Sequence, residues 1–178
     1  GNSSSALRLC LNKFECVQKL KNVVAVPKST LDYEYHDLSY PVIVKPNMED
    51  GSTGIDQNAV AHNLEELKKQ VAKMSSSAII QEYIDGRELN VSVIGSNPVK
   101  ELGVFEIDFS KLDKGYHRVV NYASKWLEDS HEYKTITSMP VQLEDNLKSH
   151  INFVAKKVVE TLGLSNYARI DLRINSKG

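Results

Sequence analysis

The sequence predicts an α+β fold, because its helical and strand-like segments occur in groups and do not alternate one by one. Three segments repeat apolar residues at spacings of three and four, as amphipathic helices do, and short β-forming runs cluster between them. A doubly wound parallel sheet would need each strand to be followed by its own helix. A chain of 178 residues is long enough for one good core or for two small lobes that share one.

The three predicted helices have recognisable starts or stops. The first follows a serine-rich cap at residues 3–5, the second begins after the candidate N-cap Asn63, and the third covers residues 140–162 and stops at Gly163. The apolar stripes are Leu7, Cys10, Leu11, Phe14, Val17 and Leu20 in the first, Leu64, Leu67, Val71 and Met74 in the second, and Leu143, Leu147, Ile151, Val154, Val158 and Leu162 in the third. Since each stripe covers one face, we expect all three helices to pack on sheets.

Six strands are predicted between and after these helices. They cover residues 42–45, 78–84, 89–94, 102–107, 119–123 and 167–174. The segment 110–134 is the least regular part of the chain, polar and aromatic by turns, and we expect it to be a mobile loop over a site.

The composition argues against several classes of partner. The formal net charge is −1 and no lysine-arginine block stands out, so neither nucleic acid nor a membrane surface is expected as a partner. No apolar run approaches twenty residues, and the first residues lack the features of a signal peptide. A cytoplasmic location is therefore expected.

The two cysteines and the chain ends carry further expectations. Cys10 and Cys16 are six residues apart, which on one continuous helix separates them by about 9 Å along the axis, too far for a disulfide. We expect them to be reduced thiols. The chain begins without methionine and ends in what looks like the middle of a hairpin, so we expect it to be a fragment.

The stretch YPVIVKPNMEDGSTGI suggests a phosphate site. A β-branched run ends at Lys45, Pro46 closes the strand, and a polar loop with Gly51 and Gly54 follows. Glycines allow consecutive backbone amides to turn toward one anion, and a neighbouring lysine adds charge. An ordinary surface turn is the more common outcome of such a junction, and the stretch matches neither a Walker loop nor a GxGxxG turn.

Two other stretches could take part in the same chemistry. In NYARIDLRI, strand alternation places Arg169, Asp171 and Arg173 on one face, where the carboxylate could bind Mg²⁺ and a guanidinium could stabilise negative charge; a merely solvated face is the alternative. In IIQEYIDGRELNVSVIG, the Asp-Gly pair favours a hairpin. The alternative is a hinge whose backbone reads a base while Glu88 accepts from ribose hydroxyls.

The remaining candidates are single residues. Lys125 stands in the irregular segment beside Trp126, where a lone lysine is more often a solvated charge than a ligand. The histidines show no metal-ligand spacing and are expected to be surface or packing residues: His36, His62, His117, His131 and His150.

The order of these segments resembles the ATP-grasp ligases. The stretches SALRLCLNKF, YPVIVKPNMEDGSTGI, GRELNVSVIG, NYASKW and ARIDLRI are most similar to D-alanine-D-alanine ligase and its relatives, over essentially the whole chain. The resemblance implies two α+β subdomains with the nucleotide between two antiparallel sheets, incomplete at both ends. It implies an entering helix at residues 1–22, a smaller subdomain at 23–84 and a larger one at 85–178 that lacks its last strands, with the N-terminal substrate domain absent.

The resemblance also assigns roles to individual residues. It implies phosphate contacts from Lys13 and Lys45, a glycine-rich phosphate loop at Gly51, Ser52, Thr53 and Gly54, and a triphosphate-covering loop with Lys125. It implies adenine recognition by Gln81, in place of the family's usual glutamate, and by the backbone of Glu82, Tyr83 and Ile84, with Glu88 on the ribose. Arg169 matches the arginine that stabilises the transition state, and Asp171 matches a Mg²⁺ ligand.

The implied activity is an ATP-dependent carboxylate–amine ligation through an acyl phosphate, with ATP and Mg²⁺ as cofactors and amino-acid or peptide-like substrates. A homodimer is compatible with the full-length form. Because the family's Glu and Asn metal ligands would lie beyond the last residue, we expect the chain alone to be inactive. Two alternatives stay open: a nucleotide-binding or interaction module without catalysis, and another ATP-grasp enzyme such as a carboxylase or a small-molecule kinase.

Overall fold

The computed structural model describes residues 1–34 and 37–175, which form two four-stranded antiparallel sheets and six helices. The helices are α1 (Ser4–Leu11), α2 (Lys13–Leu20), α3 (Leu64–Ala72), α4 (Tyr122–Trp126), α5 (His131–Thr135) and α6 (Asp145–Leu162). The strands are β1 (Ser29–Thr30), β2 (Val42–Pro46), β3 (Val60–Ala61), β4 (Ala78–Glu82), β5 (Arg87–Ile94), β6 (Lys100–Asp108), β7 (Thr137–Pro140) and β8 (Tyr167–Ile174). The predicted α+β class is confirmed.

The first sheet has the strand order β1-β4-β2-β3 and is covered by α3. Strand β2 pairs antiparallel with β4, so that Val44 lies opposite Ile80 and Lys45 lies opposite Ile79. Val42 and Val44 pack with Leu67 of α3, which follows the predicted N-cap: the Asn63 side chain accepts from the Glu66 amide. The other face of β2 is thereby left for Ile43 and Lys45.

The second sheet has the strand order β7-β6-β5-β8 and is covered by α6. Leu89 and Val91 of β5 and Ile170 of β8 are buried with Ile151 and other apolar residues of α6. Helix α6 ends at Gly163, whose φ of 66° gives the predicted left-handed stop. The opposite face of this sheet is polar, which confirms the alternation predicted for residues 167–174.

The segment between β4 and β5 is a crossover between the sheets, so the predicted hairpin is wrong. Strand β4 pairs with β1 and β2, whereas β5 pairs with β6 and β8. The glycine of the Asp-Gly pair is needed for a reason other than a hairpin turn. A Cβ at Gly86 would lie 1.9 Å from the Ile174 carbonyl oxygen. The glycine serves a close approach between the crossover and β8.

The predicted first helix is two helices. The backbone of Asn12 leaves the helical region (φ −84°, ψ 96°), and its side chain caps α2 by accepting from the Glu15 amide. Because of this break, the 9 Å spacing predicted for one continuous helix does not apply, and each thiol affects the pKa of the other. Burial is the largest cause that raises the pKa of Cys16, to about 12, and both cysteines are free thiols.

Two other boundaries differ from the prediction. The strand predicted at residues 119–123 is wrong. Asn121 in this segment instead caps helix α4 by accepting from the Ser124 amide. The last long helix begins at Asp145, since Pro140 belongs to β7 and lies opposite Phe105 at the sheet edge. Within the described residues, no helix is long and apolar enough to cross a membrane.

Candidate functional site: a cleft between the two sheets

The candidate site is the cleft where Lys45 of the first sheet faces the polar side of the second. The charges of Arg173, Glu88, Lys13 and Asp171 all act on the Lys45 ammonium. Four of these five residues are predicted site residues, and they come from α2, β2, β5 and β8. The fold therefore brings together these four predicted residues, of which Lys13 and Asp171 are 158 positions apart in the sequence.

Lys45 is held inside the cleft and not on its rim. Its Nζ donates to Oε1 of Gln81 at 3.1 Å. Burial is the main reason why the pKa of Lys45 falls to about 8; the nearby Arg173 lowers it further, whereas Glu88 raises it. A lysine whose charge is this poorly solvated would be stabilised by a bound anion.

Lys13 lies at the start of α2 and points to the segment that follows β2. Its Nζ donates to the Glu49 carbonyl, and its backbone amide donates to the Asn47 carbonyl at 3.1 Å. Burial lowers the pKa of Lys13, and the carboxylates of Asp50 and Glu49 partly offset this. The Glu49 carboxylate accepts from the Ser76 hydroxyl at 3.1 Å, so this acidic group has a partner of its own.

The glycine loop has an unusual backbone. Gly51, Ser52 and Gly54 have φ values of 68°, 63° and 72°, and Ser52 is the non-glycine residue among the described ones that adopts a positive φ. The Thr53 amide donates to the Asp50 carbonyl, but the amides of the three positive-φ residues have no partner in the described part of the chain. Amides left free in a left-handed turn can bind an anion.

The segment 110–134 covers this loop through two hydrogen bonds. Trp126 Nε1 donates to the Gly51 carbonyl at 2.8 Å, and the Ser52 hydroxyl donates to the Val120 carbonyl at 2.9 Å. Lys125 is exposed on α4, one residue before this indole. The segment thus lies over the site as predicted, with two short helices in it, and its mobility stays a prediction.

Gln81 and the crossover form the inner end of the cleft. Gln81 is buried; its Oε1 accepts from Lys45 and its Nε2 donates to the Ser29 hydroxyl at 2.9 Å, so the acceptor predicted for adenine is engaged. The Glu82 and Tyr83 amides donate to the Lys28 and Pro41 carbonyls. Of the amides at 82–84, only that at position 84 has no partner among the described residues, which leaves it available to a base.

Glu88 forms an ion pair with Arg173. It lies opposite Arg173 in the β5–β8 pairing, and its Oε2 accepts from Arg173 Nη2 at 2.6 Å. Both side chains are mostly buried, with 15% and 22% of their surface exposed. A charge-assisted bond of this length in a partly dry environment fixes the carboxylate in one orientation.

Arg169 and Asp171 are adjacent as predicted, and they bind each other. The Arg169 guanidinium donates to both Asp171 oxygens, at 2.8 and 3.0 Å, and this pairing raises the pKa of Arg169. Asn90 Nδ2 donates to Asp171 Oδ1 at 2.9 Å. The carboxylate is thus positioned from two sides on the polar face of the second sheet.

The described residues fit a phosphate-bearing ligand better than they fit a metal held by protein alone. Residues 1–34 and 37–175 contain no group of three His, Cys, Asp or Glu side chains placed to hold an ion. Mg²⁺ is often held by one or two carboxylates together with substrate phosphates, and Asp171 is such a carboxylate. The predicted metal role of Asp171 therefore stays a prediction, and His36 lies outside the described residues.

Two residues of the cleft were not predicted. Arg173 bonds Glu88, and Trp126 closes over the glycine loop. Strand alternation already placed Arg173 beside Arg169 and Asp171, so its position was readable, but its partner on β5 requires the strand pairing. For Trp126 the only signal was its position next to Lys125.

One family model matches nearly the whole chain. The family model described as D-ala D-ala ligase C-terminus matches residues 5–178. An uncharacterized protein, y4sG, of Sinorhizobium fredii is 29% identical over 80% of this chain and 41% of its own length. A D-alanine–D-alanine ligase of Lacticaseibacillus casei is 28% identical over 85% of this chain and 38% of its own.

Solved structures show the same fold. A crystal structure of D-alanine–D-alanine ligase from Bacillus anthracis complexed with ATP superposes with a TM-score of 0.71 at 19% identity, and it covers 98% of this chain and 55% of that one. The chain therefore has the ATP-grasp fold in part. It spans about two fifths of the curated relatives named above.

Proposed function

This chain belongs to the D-ala D-ala ligase C-terminus family, and we propose that it is the ATP-binding part of an ATP-dependent carboxylate–amine ligase. One observation carries the proposal: Lys45, Lys13 and the free amides of the glycine loop converge on one cleft, opposite Glu88 and the Arg169–Asp171 pair. The lysines, the loop amides and Arg169 suit the anionic triphosphate, and Glu88 suits a sugar with hydroxyl donors. The ATP complex of the Bacillus anthracis relative supports this assignment.

Each residue of the cleft has a role in this proposal. Lys45 and Lys13 neutralise phosphate oxygens, while the amides of Gly51, Ser52 and Gly54 donate hydrogen bonds to the same oxygens. The amide at position 84 binds the base edge, and Glu88 accepts from the ribose. Arg169 stabilises negative charge near the transferred group, and Lys125 on α4 completes the cover over the triphosphate.

Bound ATP would transfer its terminal phosphoryl group to a carboxylate, which gives an acyl phosphate and ADP. An amine would then attack the acyl carbon and displace phosphate to give an amide. The chain contributes positioning and charge stabilisation, which are what phosphoryl transfer requires of a protein. We place the boundary between the two subdomains at the crossover after residue 84, where strands β4 and β5 enter different sheets. Amino-acid or peptide-like substrates, a cytoplasmic location, Mg²⁺ at Asp171 and a homodimer belong to the same proposal.

The experiment that tests the nucleotide site is a calorimetric titration of a non-hydrolysable ATP analogue with Mg²⁺. It compares the parent chain with Lys45→Ala and Glu88→Ala, and uses Lys148→Ala as the matched control. Lys148 is exposed on α6, which covers the opposite face of the second sheet. We expect Lys45→Ala to weaken binding by about tenfold or more, since a hydrogen bond to a charged group contributes roughly 1.5–3 kcal/mol.

The outcomes separate the proposal from its rivals. If the parent chain is folded but does not bind the analogue, the proposed nucleotide site is refuted. Binding of ATP without release of ADP, in a chimera that carries this chain in place of the matching segment of a D-alanine–D-alanine ligase, would favour a module without catalysis. ADP release that depends on a carboxylate but not on an amine would favour a kinase or a carboxylase.

A further inference from the structure

Arg173 is the side chain that joins the separate parts of the cleft. Its Nη2 donates to Glu88 Oε2 at 2.6 Å and to the Arg118 carbonyl at 2.5 Å, and its Nη1 donates to the carbonyls of Ile84 and Gly86 at 3.4 Å each. One guanidinium thus bonds β5, the crossover and the segment that covers the site. A planar group with five donors in fixed directions is suited to such a position.

Two aromatic rings keep the guanidinium in place. Its Cζ lies 6.0 Å from the centre of the Tyr83 ring and 5.6 Å from the centre of the Phe109 ring. Cations at this distance from aromatic faces are attracted to them. Only 22% of the Arg173 side chain is exposed, so these contacts meet little competition from water.

The ion pair with Arg173 uses only one of the two carboxylate oxygens of Glu88. Its Oε2 accepts from Arg173, while its Oε1 has no donor within the described residues. Glu88 also lies near enough to Lys45 to raise that lysine's pKa. Without Arg173, Lys45 and Arg169 are the cations that still act on this carboxylate. Turning toward Lys45 would withdraw both groups from a bound nucleotide.

We propose that Arg173 is a positioning residue that presents the free oxygen of Glu88 to the ribose hydroxyls and so sets the preference for ribonucleotides over nucleotides without these hydroxyls. The inference rests on the proposed function and adds a residue and a specificity to it. Arg173 itself contacts the protein groups that bind the nucleoside and acts through them.

A simple structural role for Arg173 predicts a different result. If the side chain only held the crossover and the Arg118 segment in place, its loss would weaken ATP and 2′,3′-dideoxy-ATP equally. If it positions Glu88, its loss would weaken ATP more, and the ratio of the two dissociation constants would fall. The ratio therefore distinguishes positioning from general support.

The test is a calorimetric titration of ATP and, separately, of 2′,3′-dideoxy-ATP into the parent chain, Arg173→Met and Arg173→Lys. No carboxylate or amine substrate is present. We expect the parent to prefer ATP by about tenfold or more, since hydrogen bonds to a charged acceptor are lost with the hydroxyls. The preference should fall below about threefold in Arg173→Met and recover in part in Arg173→Lys, which keeps the charge without the fork. Arg87→Met is the matched control, because Arg87 pairs with Glu106 at 2.7 Å on the same sheet.

Each outcome of this titration either supports or overturns the inference. An unchanged ratio in folded Arg173→Met overturns the inference and leaves the nucleotide site standing. A parent that binds ATP without preference overturns the ribose role of Glu88 and the inference with it, whereas a parent that binds neither nucleotide overturns the proposed function. If Arg173→Met does not fold, Arg173→Gln, which keeps an amide donor but no charge, replaces it, and an unchanged ratio there has the same meaning.

Discussion

At the scale of single residues, the lowered pKa of Lys45 gives nucleotide binding a pH dependence. With a pKa of about 8, Lys45 is charged at pH 7 and mostly neutral at pH 9 in the free protein. Because phosphates bind the charged form, we expect the affinity for an ATP analogue to fall by about tenfold over this interval, approaching one power of ten per pH unit above the pKa. Titration calorimetry at four or five pH values measures this slope.

Lys45→Arg is the control for this slope. Arginine stays protonated throughout the interval, so the variant should bind with little dependence on pH even if its affinity at pH 7 is lower. A slope that persists unchanged in Lys45→Arg would show that another group, such as Lys13, is responsible. The pKa of Lys13 is also lowered by burial, which makes it the natural second candidate.

Single residues also show what local patterns could predict. Lys45 was predicted from β-branched residues that end at a polar loop, and its position in the cleft follows from strand alternation. The break between the two helices at Asn12 was missed, because apolar spacing continues smoothly across this residue. The pair Asn12 and Glu15 is itself a helix-start signal, which could have revealed the break.

At the scale of elements, the crossover between β4 and β5 depends on Gly86. A methyl group at this position would lie 1.9 Å from the Ile174 carbonyl oxygen, so Gly86→Ala must move the crossover away from β8. We expect this variant to lose about 2–3 kcal/mol of unfolding free energy, as overpacked sites do, measured by denaturant titration. Gly103→Ala is the control, since its Cβ would meet only a Phe105 ring atom at 3.8 Å. Equal losses in both variants would contradict the close-approach argument.

The same element explains a limit of sequence reasoning. Asp85 and Gly86 between two apolar runs favour a hairpin by local statistics, and nothing local distinguishes a hairpin from a crossover. The distinction lies in the partners: β4 bonds to β2, and β5 bonds to β8, which begins 73 positions after β5 ends at residue 94. Strands β5 and β8 were predicted nearly in full, whereas their pairing, and with it the bond between Glu88 and Arg173, required the fold.

At the scale of the whole molecule, the two sheets have separate hydrophobic cores. Among the described residues, twelve buried side chains form the core of the second sheet with α6. Six form a core of the first sheet with α3, and four more, Ile43, Ala59, Val60 and Val119, form a small cluster on its other face. Since the buried side chains of the first sheet are divided between two smaller clusters, we expect its local opening to cost less free energy than that of the second sheet. A nucleotide that contacts both sheets would be lost when either opens.

This arrangement predicts the effect of a nucleotide on hydrogen exchange. In the free chain, the amides of β2 and β4 should exchange faster than those of β5 and β8, because the first sheet opens more often. A saturating ATP analogue, at about 100 times its dissociation constant, should slow exchange in β2 and β4 by about 100-fold, since the open state cannot bind it. Lys45→Ala at the same analogue concentration should show far less slowing. Protection that appears only in β5 and β8 would mean that the ligand binds the second sheet alone and that Lys45 does not reach it.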